Sequence, residues 1–163
     1  TPFAVYTVGA KPVITAVGGL SVNPAYTLED CPPPDILLVP GGIGTRTLLD
    51  DTALLAWLRA HAGRVELLLS VCTGSLLLGQ AGLLDGLPIT THHSVYDLLA
   101  EIVPTAQVVS DRRFVDNGSV ITSGGISAGI DMALYVVARL LGPDHARQTA
   151  DHMEYRWQLV DPA

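Results

Sequence analysis

The sequence predicts one α/β domain, a mostly parallel sheet with helices on both faces. Three observations carry that expectation. The short apolar runs 35–40, 65–70 and 120–123 have the length and composition of strands buried on both faces. Between them lie segments whose apolar residues recur at helical spacing, so strands and helices alternate along the chain. Finally, 163 residues, 48% hydrophobic and 15% charged with a mean hydropathy of +0.39, suffice for a single core and exclude a disordered chain.

Each element has its own signal. Residues 3–8 alternate and read as a strand, followed by extended chain punctuated by Gly and Pro as far as Asn23. Cys31-Pro32-Pro33-Pro34 is a rigid connector that cannot be helical. The first buried strand, 35–40, meets the turn Gly41-Gly42-Ile43-Gly44, and a helix over 48–61 then places Leu54, Leu55, Trp57 and Leu58 on one face. The second buried strand, 65–70, runs without a linker into Val71-Cys72-Thr73-Gly74-Ser75 and a helix over 76–84, which Gly86 and Pro88 terminate. A short strand over 89–91 precedes a helix over 94–102. Residues 108–115 lead to the tight turn Asp116-Asn117-Gly118-Ser119 and the last buried strand, 120–123. A long apolar helix over 126–141 and a more polar one over 144–157, opened by Pro143, complete the chain.

Composition narrows the function. Nine Lys and Arg against sixteen Asp and Glu give a net charge of −7, which repels phosphate backbones, so this chain alone is not expected to bind nucleic acid. Two cysteines are too few for a disulfide scaffold and point to a reducing compartment, the cytoplasm. Residues 67–84 are uncharged and long enough to span a bilayer. Their Ser, Thr, Gln and Gly content, closely bounded by Glu66 and Asp85, reads instead as a strand entering a buried helix.

Ligands of open α/β sheets bind beyond the carboxyl ends of the strands, where three glycine-rich turns lie. Gly42-Ile43-Gly44-Thr45-Arg46-Thr47 falls one glycine short of a dinucleotide fingerprint and lacks its following acid, so it reads as a tight turn whose N–H groups face the cleft. Gly125-Ile126-Ser127-Ala128-Gly129 matches the G-x-S-x-G hydrolase elbow. The histidines after it, His145 and His152, lie on the next helix, so Ser127 is expected to cap its own helix instead.

Cys72 has the stronger setting. Between a buried strand and the first turn of a helix, its sulfur faces free N–H groups and a dipole that favours thiolate, which makes it the candidate nucleophile. The Thr73 N–H, with that of Gly42, supplies an oxyanion site. His92-His93 ends the short strand; neighbours on a strand point opposite ways, so one of the two at most faces the site. No further ligands stand at zinc spacing, and no metal or organic cofactor is expected. Asp131, within an apolar helix, is expected to be a hydrogen-bonded structural acid.

Four segments carry a family resemblance: Asp35 to Gly42, Ser70-Val71-Cys72-Thr73-Gly74-Ser75, Thr90-Thr91-His92, and Thr122 to Asp131. Together they resemble the ThiJ/PfpI superfamily, flavodoxin-like domains related to class I glutamine amidotransferases. Cys-Thr-Gly at 72–74 is similar to its isocyanide hydratase branch and to the amidase-like domains of AraC-type regulators. The resemblance implies a flavodoxin-like, doubly wound sheet, with Cys72 as nucleophile and Gly42 and Thr73 as oxyanion donors. It puts Ile43, His92, His93 and Gly124 around a small-molecule substrate. In such hydratases the thiolate attacks the isocyanide carbon and water releases an N-formamide. His93 stands where the hydratase carries Trp, so the substrate itself is not specified.

The function expected is thus a cysteine-dependent hydratase or hydrolase of a small electrophilic C–N or carbonyl compound; the alternative is a ligand- or redox-sensing domain using the same cleft. A symmetric homodimer is expected from the apolar helices and from the resemblance. Related proteins begin with a strand–acid–helix unit ahead of the segment that starts here at Phe3. The expectation is therefore that residues 1–163 are one domain lacking that unit, with the catalytic acid on it.

Overall fold

The computed structural model describes residues 2–158. Two-residue strands come first: β1 (Val8–Gly9), β2 (Ile14–Thr15), β3 (Ser21–Val22) and β4 (Tyr26–Thr27), with β1 parallel to β4 and β2 antiparallel to β3. Of the strand expected over 3–8 only Val8 is strand, as the first residue of β1. An alternating segment needs a ladder and a core along its whole length; here the ladder begins only where Thr7 and Val8 meet Tyr26, and Val5 is 88% exposed.

The main sheet is built from β5 (Ile36–Val39), β6 (Leu67–Val71), β9 (Phe114–Asp116) and β10 (Val120–Ser123), in the order β5-β6-β10-β9. The first three run parallel, with Ile36 beside Leu67 and Val120 beside Leu68, and β9 is antiparallel to β10. Between these strands lie α1 (Thr52–Ala62), α2 (Gly74–Gln80), β7 (Pro88–Ile89), α3 (Tyr96–Ile102) and β8 (Gln107–Val108). They are followed by α4 (Ser127–Leu141) and α5 (Pro143–His152).

Side-chain alternation along β6 divides the core. Leu67 and Leu69 point to one face, where they join Phe114, Ile121, Met132 and Val136 beneath α4. Leu68 points to the other, among Leu55, Leu58, Leu76, Leu78 and Leu99 of α1, α2 and α3. Helices thus cover both faces, and the fold is the expected flavodoxin-like α/β class. Each such leucine, all but removed from water, contributes on the order of 2 kcal/mol.

The departures have local causes. The helix expected over 48–61 starts as a 3-10 turn, Ile43–Leu48, and restarts at Thr52, because the Asp51 carboxylate caps it by accepting the Leu54 N–H at 3.0 Å. The strand expected over 89–91 is Pro88–Ile89, paired with β8 outside the main sheet. The stretch 108–115 is strand only at its two ends. α3 is likewise preceded by a 3-10 turn, His93–Val95. The last helix stops at His152, and Tyr155, past a left-handed Glu154 with φ 52°, reaches back to bond Asp131 at 2.9 Å. That bond to a carboxylate, with burial adding to it, raises the Tyr155 hydroxyl above the ordinary phenol range. Finally, β5 is not buried on both faces: it is one of the two edge strands of the main sheet among the described residues, and Leu38 in its middle is 42% exposed.

Candidate active site

The site begins where β6 runs out of sheet. Cys72 follows Val71 with φ 58°, in the left-handed region that non-glycine residues seldom occupy, and Gly74 then opens α2. Such a residue costs on the order of 1–3 kcal/mol and persists only where its surroundings hold it. Here they hold both sides. The Cys72 N–H donates to the carbonyls of Ser123 and Gly124, both at 3.1 Å, at the end of β10. The Cys72 carbonyl accepts from Ser75 Oγ at 3.2 Å and from Thr91 Oγ1 at 2.9 Å. The result is a sharp strand-to-helix elbow with the cysteine at its apex.

Two glycines let the neighbouring loop close on that elbow. A Cβ at Gly74 would run into the Val39 carbonyl oxygen, and one at Gly41 would sit 2.6 Å from Thr73 N and 2.7 Å from Cys72 Cβ. Gly42 locks the two segments together: its N–H donates to Thr73 Oγ1 at 2.9 Å, and the same hydroxyl donates to the Gly42 carbonyl at 3.0 Å. The Gly42 N–H is therefore already engaged. By contrast, the Thr73 N–H enters no turn or loop hydrogen bond among the described residues.

The third wall is the segment 122–125 with His92 against it. The Gly124 N–H donates to the Arg113 carbonyl at 2.9 Å, and a Cβ on Gly125 would collide with the His92 ring. His92 Nδ1 accepts the Ser94 N–H at 3.2 Å, which leaves the proton of the neutral ring on Nε2. The two histidines do not diverge as strand neighbours would. They sit on a 3-10 turn instead, their rings 4.3 Å apart, with His93 exposed. Ile43 is 62% exposed at the start of its own turn.

Ser127 does not cap its helix. Ile126, at φ 49°, holds the N-cap position without a side-chain bond, and Ser127 Oγ instead accepts from the Arg113 guanidinium at 3.1 Å. That guanidinium also pairs with Asp131, which has Tyr155 on its other oxygen, so Asp131 is the structural acid expected and Ser127 has no histidine base. Thr91 and Ser75, absent from the sequence reading as functional residues, are the hydroxyls that hold the elbow. Their only sequence signal was a place inside motifs assigned to their neighbours. No three His, Cys, Asp or Glu gather into a metal-holding group among the described residues.

Comparison with known proteins agrees with this architecture. The sequence profile of the DJ-1/PfpI family matches residues 2–139, and the chain belongs to that family. It is 43% identical over 143 residues to an isonitrile hydratase of Pseudomonas putida, covering 87% of this chain and 61% of that protein. It is 35% identical over 138 residues to the HTH-type transcriptional regulator CdhR of Pseudomonas aeruginosa, covering 85% of this chain and 40% of the regulator. Among solved structures, a ThiJ/PfpI family protein from Pseudomonas syringae superposes with a TM-score of 0.86 at 34% identity, over 98% of this chain and 64% of the other. The chain thus spans less than two thirds of these relatives. No helix among the described residues is long and apolar enough to cross a membrane.

Proposed function

We propose that the protein is a cysteine-dependent hydratase of small isocyanides, with Cys72 as its nucleophile. The observation that carries this reading is the elbow itself: a cysteine at φ 58° between β6 and α2, beside an unspent backbone N–H. The 43% identity to an isonitrile hydratase supports the reaction class. In the proposed reaction the Cys72 sulfur adds to the terminal isocyanide carbon, forming a C–S bond as that carbon takes a proton. Water then adds to the same carbon, and the Thr73 N–H stabilises the oxyanion. Collapse breaks the C–S bond, places a proton on nitrogen, and releases the N-formamide with the thiol restored. Gly42 is a second donor in this scheme, exchanging its Thr73 hydroxyl for the oxyanion. Gly124 shapes the floor, and Ile43, His92 and His93 line the substrate's approach.

The acid that moves these protons belongs, in this reading, to a strand–helix unit seated along the edge of β5. Support comes from that edge and from the exposed Leu38 on it. The working protein is taken as a cytoplasmic homodimer acting on a small molecule, with both cysteines free. A second reading, a sensing domain without turnover, is favoured by the 35% identity to a transcriptional regulator.

The test is turnover of an alkyl and aryl isocyanide panel, following formamide formation. The expected result is conversion that falls by at least about a thousandfold in Cys72→Ser. Binding or oxidation at Cys72 with no formamide from any isocyanide would select the sensor.

A further inference from the structure

Both hydroxyls on the Cys72 carbonyl are buried, but they hold it differently. Ser75 lies three residues on, in the first turn of α2, and moves with the elbow it bonds. Thr91 comes from a separate segment, 19 residues along the chain. That segment is itself fixed: the neighbouring Thr90 N–H donates to Thr122 Oγ1 of β10 at 2.9 Å, and Thr91 is fully buried. The Cys72 N–H is already tied to the end of β10, and Thr91 fixes the carbonyl side of the elbow relative to the sheet, which Ser75 cannot do.

The consequence follows from the peptide plane. No peptide bond among the described residues is cis, so the carbonyl of Cys72 and the N–H of Thr73 point in opposite directions within one rigid plane. Fixing the oxygen inward on Thr91 turns the Thr73 N–H outward. The opposite side is kept open, because Gly41 has no side chain where a Cβ would lie 2.6 Å from Thr73 N. We propose that Thr91 is a positioning residue: its hydroxyl pins the Cys72–Thr73 peptide and aims the Thr73 N–H into the cleft as oxyanion donor. This rests on Cys72 being the nucleophile.

Thr91→Val keeps the shape and removes the hydroxyl, and Thr91→Ser keeps the hydroxyl. Losing an oxyanion donor outright lowers kcat by about 10²–10³, so a misaimed one should cost about tenfold to a hundredfold in kcat with KM little changed. Alkylation of Cys72 by iodoacetamide develops no oxyanion and should stay within about threefold of wild type. Thr91→Ser should restore kcat. If the valine variant does not fold, Thr91→Ala serves, with the same expectation.

The proposal is overturned if kcat survives loss of the hydroxyl. It is equally overturned if turnover and alkylation fall together and serine rescues neither, since that pattern reports general damage. Should the wild type convert no isocyanide, the hydratase reading has failed on its own. The pin is then read from the Thr73 amide resonance, which should shift in Thr91→Val and return in Thr91→Ser. An unmoved resonance would refute it.

Discussion

The two thiols of this chain sit in opposed settings. Cys31 follows Asp30 and bonds the Pro32 carbonyl at 3.1 Å; burial, reinforced by the Asp30 charge and partly offset by a hydrogen bond from Tyr6, raises its thiol above the ordinary range. A raised thiol becomes thiolate only at higher pH, so Cys31 should lag behind a free thiol in iodoacetamide labelling at neutral pH and catch up in alkali. Cys72, at the elbow, should label first, and mass spectrometry of the two peptides across a pH series checks both statements. Equal labelling throughout would remove the reason for setting Cys72 apart. The position of Cys72 was legible in the sequence, because a buried strand running into a helix without a linker leaves one residue at the bend. The hydroxyls beneath it were not, since Thr91 reaches Cys72 through tertiary packing that no local pattern encodes.

Among the elements, α2 shows two effects in competition. Alanine favours a helix over glycine by about 1 kcal/mol, so Gly74→Ala would stabilise α2 in isolation. Here a Cβ meets the Val39 carbonyl oxygen and lies 2.9 Å from its carbon, backbone atoms of β5 that cannot rotate away. Overpacking of this kind costs about 3 kcal/mol, so the clash wins. We expect a net loss near 2 kcal/mol and a melting temperature lower by roughly 4–8 °C. An unchanged melting temperature would mean that β5 yields. The buried strands and α4 were legible from apolar runs, but the breaks around Asp51 and His92 were not. There a side-chain cap and a 3-10 turn override helical or strand periodicity.

On the scale of the molecule, the main sheet ends among the described residues at β9 on one side and at the parallel strand β5 on the other. Along β5 the outer side has no ladder partner among the described residues and Leu38 is half in water, an edge that would recruit a strand. If the proposed strand–helix unit occupies it, residues 1–163 alone should melt lower and self-associate, while a chain carrying that unit should melt higher, stay soluble and gain turnover. A short form that is equally stable and active would refute that unit and make His92 the candidate base. The parallel order of the sheet carries a further consequence, one of time. Ser70 and Ser123 meet across β6 and β10 from positions 53 residues apart, so this pairing must close a long loop before it is rewarded. The closure costs on the order of 3–4 kcal/mol of chain entropy, a cost that slows folding relative to locally paired structure. Throughout that interval Leu67–Val71 travels as a bare apolar ribbon. The same strand that later presents Cys72 is thus a liability to aggregation until its partners close on it.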